Sequence, residues 1–147
     1  RMPGIDGKAK MSKSLDNAIF LSDSEEEIKK KVMQMYTDPN HIHLNDPGEV
    51  KGNVVFTYLD VFDPNMGEVA ELKKQYKKGG LGDVALKKRL AGVLNEVLMP
   101  IRERREELAR NPKHVMDILE QGTKNARKVA QQTLTEVRMH MKIDYFG

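Results

Sequence analysis

A chain of 147 residues can form one domain with a sizeable core, and the absence of cysteine excludes both a disulfide framework and a thiolate zinc site. No apolar run approaches the roughly 20 residues that span a bilayer and no signal-peptide pattern leads the sequence, so a soluble, cytoplasmic protein is expected. The formal net charge of +3 is unevenly spread: Lys8, Lys10 and Lys13 crowd the start, cations from Lys73 to Lys113 fill the middle, and acids gather at Glu25 to Glu27 and between Asp46 and Asp63. A polyanion would meet the middle of the chain, although such runs are more often the solvated faces of helices.

The chain begins at Arg1 and runs directly into a Gly- and Lys-rich stretch, which suggests a piece of a longer protein. Residues 1–14, with Pro3, Gly4 and Gly7, read as a loop, and Leu15, Ile19, Phe20 and Leu21 form an apolar patch that could anchor it. Ser24 and Glu27 have the spacing of a capping box, so a helix starts there, carries Ile28, Val32 and Met35 on one face and stops before Asp38-Pro39. After a loop containing His41, His43, Asp46 and Gly48, a second helix is expected on Val54, Val55, Tyr58, Leu59 and Phe62, ended by Asp63-Pro64-Asn65. A third, on Val69, Leu72 and Tyr76, stops at Gly79-Gly80.

From Asp83 the pattern is helical again, with Val84, Leu90, Val93, Leu94, Val97, Ile101 and Leu108 as its apolar stripe and Pro100 as a kink. Asn111-Pro112 supplies an N-cap and a proline at the first helical position. The last helix then carries a narrow stripe of Val115, Ile118, Leu119, Gly122, Ala126, Val129, Ala130, Thr133, Val137 and Met141, whose small residues suit close packing on a neighbour. Ile143 to Gly147 reads as a loosely docked terminus. No segment alternates as a strand. The expected fold class is all-α, a helical bundle with a long antiparallel helical hairpin behind an N-terminal loop. His41, His43, Asp46 and Glu49 are too loosely spaced for a metal site, and none is expected.

The sharpest string is Lys10-Met11-Ser12-Lys13-Ser14. It resembles, without a mismatch, the KMSKS signature of class I aminoacyl-tRNA synthetases, and the flanks Met2 to Ala9 and Leu15 to Ile19 resemble the tryptophanyl branch of that family. The likeness continues through Met35 to His41, Asp46 to Gly48, Gly52 to Asp60, Gly79 to Val84 and Pro100 to Arg105. The resemblance implies a tryptophan–tRNA ligase. Its substrates would be ATP with Mg2+, tryptophan and tRNA(Trp), and it would be a homodimer through an upstream domain. Residues 1–22 would then end a Rossmann-like nucleotide-binding domain, and residues 23–147 would be the helical anticodon-binding domain.

The chemistry behind the motif can be stated without the family. Attack on the α-phosphate of ATP expels pyrophosphate, so cations held on the leaving oxygens stabilise the transition state more than the ground state. Lys10 and Lys13 are the catalytic candidates, with Met11, Ser12 and Ser14 completing the ATP-binding loop, and Pro3, Gly4 and Gly7 would let it open and close. For tRNA the best-placed cations are Lys87, Lys88, Arg102, Arg104 and Arg105, by charge and position. The family's HIGH-type motif and tryptophan pocket do not occur in this sequence, so the chain alone is expected to be inactive. The alternatives are a non-catalytic helical RNA-binding module, a protein-binding bundle or the tyrosyl sibling specificity.

Overall fold

The computed structural model describes residues 1–145; Phe146 and Gly147, the end of the terminus expected to be loosely docked, lie outside the described residues. Five helices appear among them: α1 (Glu25–Met33), α2 (Val54–Phe62), α3 (Met66–Lys78), α4 (Asp83–Ala109) and α5 (Pro112–Met141). The fold is all-α, as expected, and the described residues contain no strand beyond one isolated antiparallel bridge between Pro3 and Lys10.

Side-chain caps explain where the helices begin. At α1 the Ser24 hydroxyl accepts from the Glu27 amide while the Glu27 carboxylate accepts from the Ser24 amide, the full capping box. Asn53 caps α2 by accepting from the Val55 and Phe56 amides, and Asn65 caps α3 through the Glu68 amide. Asn111 accepts from the His114 amide with Pro112 at the first position of α5. Pro100 lies inside α4 without ending it.

Residues Arg1–Glu103 form one compact unit and Arg104–Gly147 a second. The core of the first is built from Ile28, Val32 and Met35, from Val54, Val55, Phe56, Tyr58 and Leu59, and from Val69 and Tyr76, which join a ladder on α4. Each of these large side chains contributes about 1.5–3 kcal/mol by leaving water. The α4 ladder differs from the stripe expected of it. Leu86, Leu90, Leu94 and Leu98 are buried at four-residue steps, whereas Val84, Val97 and Ile101 are exposed. Val84 falls off the face that the leucines share, and Ile101 lies past the last buried rung. The patch that seats the N-terminal loop also shifts: Ala18 is buried and Ile19 packs on the core, while Leu15 and Leu21 face solvent.

In the second unit, no residue of α5 is buried. The close helix packing expected of its small-residue stripe is therefore not found there. Gly122, Ala126 and Ala130 offer little apolar area to drive such packing, and a Cβ added at Gly122 would meet only open space.

A partly buried ion pair ties α2 to α4 in the first unit. Asp63, 5 % exposed, accepts from Arg89 Nε at 2.7 Å, and Arg89 also reaches Glu68. That Arg89 hydrogen bond is the main reason the Asp63 carboxyl is held below its ordinary value despite burial. A lowered carboxyl adds stability at pH above the unfolded-chain value, and that stability is lost as the pH falls through the lowered folded-state value. Arg89→Met should destabilise the first unit by about 2–3 kcal/mol at neutral pH, because Asp63 keeps its charge without its partner. Urea unfolding of the two proteins measures this.

Candidate functional site

The motif loop is a hairpin laid on the helical core. The Gly4 amide donates to the Ala9 carbonyl at 2.7 Å and the Met11 amide to the Met2 carbonyl at 3.4 Å, bracketing the Pro3–Lys10 bridge. After Lys10 the chain turns again, with the Asp16 amide donating to the Lys13 carbonyl and Asp16 at a φ of 50°.

Three contacts fasten this hairpin to the rest of the first unit. The Ile5 carbonyl accepts from the Tyr36 amide at 2.8 Å, the Tyr58 hydroxyl donates to the Pro3 carbonyl at 2.6 Å, and Met11 packs against the core. Burial pushes the Tyr58 phenol up to about 12, so it remains a neutral donor throughout the physiological range.

The motif residues divide accordingly. Met11 faces inward, while Lys10, Lys13 and Ser14 are exposed, and Ser12 and Ser14 share a hydroxyl–hydroxyl bond at 2.9 Å. Neither lysine forms an ion pair among the described residues. A shallow groove of about 240 Å³ runs beside the hairpin and is lined by Arg1, Lys8 and Lys10 among others, which gives it positive charge. The arrangement can present two free ammonium groups to an anion from an anchored loop.

Asn17 was not singled out from the sequence as a functional residue. It is 2 % exposed and lies behind the motif, with its side-chain oxygen accepting from the Ser12 amide at 2.8 Å. Its side-chain amide donates to the Lys10 carbonyl at 3.3 Å and to Asp6 at 3.2 Å. Gly4 is likewise no hinge. It is buried, and a Cβ there would stand 2.2 Å from the Asn17 amide nitrogen, so glycine is required for close approach. In the sequence Asn17 stood out only as part of the Leu15 to Ile19 flank that resembles the tryptophanyl branch.

Of the five cations expected to meet RNA, two are engaged within the fold. Lys87 is half-buried and donates to the Met33 carbonyl at the end of α1, and desolvation lowers its pKa. Arg102 reaches Asn95 and Glu25. Arg104 is exposed and paired with Glu107, whereas Lys88 and Arg105 are exposed without a hydrogen bond among the described residues.

Another cleft, of about 680 Å³, lies elsewhere, and its Asp38, Glu49, Lys51 and Lys77 carry both signs of charge. Asp38 is already held low by accepting from the Asn40 and Glu49 amides. His41 is buried against Tyr76, ring centroids 4.6 Å apart, with Nδ1 3.6 Å from Asp83. Among the described residues no three His, Asp or Glu side chains come together as a metal site.

Comparison with known proteins gives one consistent result. The family described as tRNA synthetases class I (W and Y) matches residues 1–99. The tryptophan–tRNA ligase of Lactococcus lactis subsp. lactis (strain IL1403) is 55% identical over 99% of this chain and 43% of its own length. That of Clostridium longisporum is 54% identical over 100% of this chain and 43% of its own. The crystal structure of tryptophanyl-tRNA synthetase from Campylobacter jejuni superposes with a TM-score of 0.78 at 33% identity, covering 95% of this chain and 44% of that one. A second structure of that enzyme, complexed with ADP and tryptophan, matches at the same TM-score and identity over 95% of this chain and 42% of its own. The chain thus spans less than half the length of the curated relatives it matches.

Proposed function

The chain belongs to the class I tRNA synthetases of the tryptophanyl and tyrosyl family, and from that membership we propose that it supplies the pyrophosphate-binding loop and tRNA-binding helices of a tryptophan–tRNA ligase. The observation that carries this reading is a pair of exposed lysines, without ion pairs among the described residues, on an anchored hairpin. In the reaction the tryptophan carboxylate attacks the α-phosphate of ATP and pyrophosphate leaves; a tRNA(Trp) terminal hydroxyl then attacks the acyl carbon of the adenylate, taking the tryptophanyl group and releasing AMP. Lys10 and Lys13 would meet the β- and γ-phosphate oxygens as charge builds on them. The Ser12 and Ser14 hydroxyls would add neutral donors. The Mg2+ that accompanies the nucleotide in this reading would be held chiefly by the phosphates and water. The lysines are what this chain brings to the leaving group.

Residues 1–22 would work as the end of a nucleotide-binding half, and residues 23–147 as the tRNA-binding part. A homodimer and a cytoplasmic workplace belong to the same reading; no described helix is long and apolar enough to cross a membrane. The isolated chain should show no tryptophan-dependent ATP–pyrophosphate exchange, and the intact synthetase, in which it is joined to its nucleotide-binding half, should show it. Exchange by the isolated chain would overturn this division of labour.

On the RNA side, Lys88 and Arg105 are the cations of the expected set without a partner among the described residues, Arg104 pairs with Glu107, and Lys87 and Arg102 are engaged within the fold. Lys88→Ala should weaken tRNA binding across sequences and reduce the slope of log affinity against log salt by about 1. Filter binding at several salt concentrations gives both quantities. An unchanged slope would remove Lys88 from the interface.

A further inference from the structure

We propose that Asn17 is a positioning residue for amino-acid activation, setting the path of the backbone from Lys10 to Ser14 and through it the aim of the two motif lysines. The proposal rests on the reading of those lysines as the cations that meet the triphosphate. Within the hairpin, the Lys10 carbonyl and the Ser12 amide point to the same buried side, and one carboxamide satisfies both, donating at 3.3 Å and accepting at 2.8 Å. Those two bonds flank Met11 and so fix the backbone on which both lysines stand. The remaining hydrogen of that amide goes to Asp6 at 3.2 Å, across the hairpin. Asp6 in turn accepts from the Lys8 amide.

Asn17 is itself held in place. Its backbone carbonyl accepts from the Ile5 amide at 2.9 Å, and the Ile5 carbonyl accepts from the Tyr36 amide. Gly4 leaves room for the carboxamide and for nothing larger. The whole assembly is therefore referenced to the helical core rather than to solvent. The chemistry selects asparagine at this position. Aspartate has the same size but puts an acceptor oxygen in place of the amide that faces the Lys10 carbonyl and the Asp6 carboxylate, so it would repel where asparagine donates. Alanine leaves the Ser12 amide and the Lys10 carbonyl without their partner. Misplacing reacting groups by about an ångström can cost on the order of 10²-fold in rate. Asn17 touches none of the reacting atoms and acts only through the lysines.

The test uses the intact synthetase and four variants: Asn17→Ala, Asn17→Asp, Lys13→Ala and the double variant Asn17→Ala/Lys13→Ala. Tryptophan-dependent pyrophosphate exchange is measured together with the thermal midpoint. Both Asn17 variants should lower kcat by about 10- to 100-fold while the KM for tryptophan stays within about twofold. The double variant should fall short of the full product of the two single losses, because the share of the Asn17→Ala loss that acts through Lys13 is already forfeited and only Lys10 remains to be misaimed.

If Lys13→Ala is as fast as the parent, the proposed function itself fails. If Lys13→Ala is slow while both Asn17 variants match the parent, or if the double variant shows the full product of the two losses, the lysine reading stands and the positioning role falls. Should Asn17→Ala fail to fold, the isosteric Asn17→Asp decides, since a folded Asn17→Asp at parental kcat would overturn the proposal.

Discussion

Replacing Lys13 by alanine in the intact synthetase is expected to slow tryptophan activation by about 10²- to 10³-fold, with the thermal midpoint unchanged within error. The size follows from what the side chain can do. An ammonium placed on oxygens that gain charge only as pyrophosphate leaves is worth about 2.7–4 kcal/mol when it is one of a few such donors. The selectivity follows from where the side chain is: Lys13 is exposed, makes no ion pair among the described residues, and lies outside the core. Its loss therefore withdraws nothing from folding. Pre-steady-state formation of the adenylate and a melting curve on the same sample give the two readouts. A fall in rate matched by a fall in melting temperature would mean that the loop had collapsed, and an unchanged rate would remove Lys13 from the reaction. Lys13→Arg should recover only part of the rate, since a planar fork does not replace a compact point charge on phosphate oxygens.

The largest expected loss of stability comes from Gly79→Ala, about 3–5 kcal/mol, enough to unfold much of the first unit at physiological temperature. Gly79 closes α3 with φ 88° and ψ 165°, a region that is almost exclusively glycine's. The strain is not the whole cost, because an added Cβ would stand 2.2 Å from the Asn45 backbone oxygen. Backbone cannot step aside as a side-chain tip can. The Asn45 loop is also bound to this turn, with the Gly80 amide donating to the Leu44 carbonyl at 2.7 Å. Gly80→Ala is the control. Its φ is 93° but nothing lies within 4 Å of its virtual Cβ, so it should cost only the conformational part, about 1–3 kcal/mol. Urea denaturation of the two variants separates steric from torsional cost. Equal losses would mean that the clash at Asn45 is relieved by relaxation.

How far the sequence could be read depended on whether the deciding contacts were local. The starts of α1 and α5 were legible because their caps are satisfied within three residues, as at Ser24–Glu27 and Asn111–His114. The first three apolar faces were legible because helical period and burial coincide there, except at Met35, which is buried two residues past the end of α1 instead of on its face. On α4 they separate. The run offers valines, leucines and an isoleucine on several sides, and only the neighbouring elements select Leu86 to Leu98 from among them. The motif lysines could be named because a short signature carries them. Their support could not, since Asn17, Asp6, Gly4 and Tyr58 act on the loop only after the hairpin has closed and docked. Charge alone could not separate Lys87 and Arg102, which serve the fold, from Lys88 and Arg105, which do not.

The bare surface of α5 has a thermodynamic consequence. The heat-capacity increment and the urea sensitivity of unfolding both scale with the nonpolar area newly wetted. A 30-residue helix whose leucines and valines already stand in water contributes little to either quantity. The calorimetric dome of this polypeptide should therefore be shallower than its 147 residues would suggest, with a curvature set chiefly by residues 1–103.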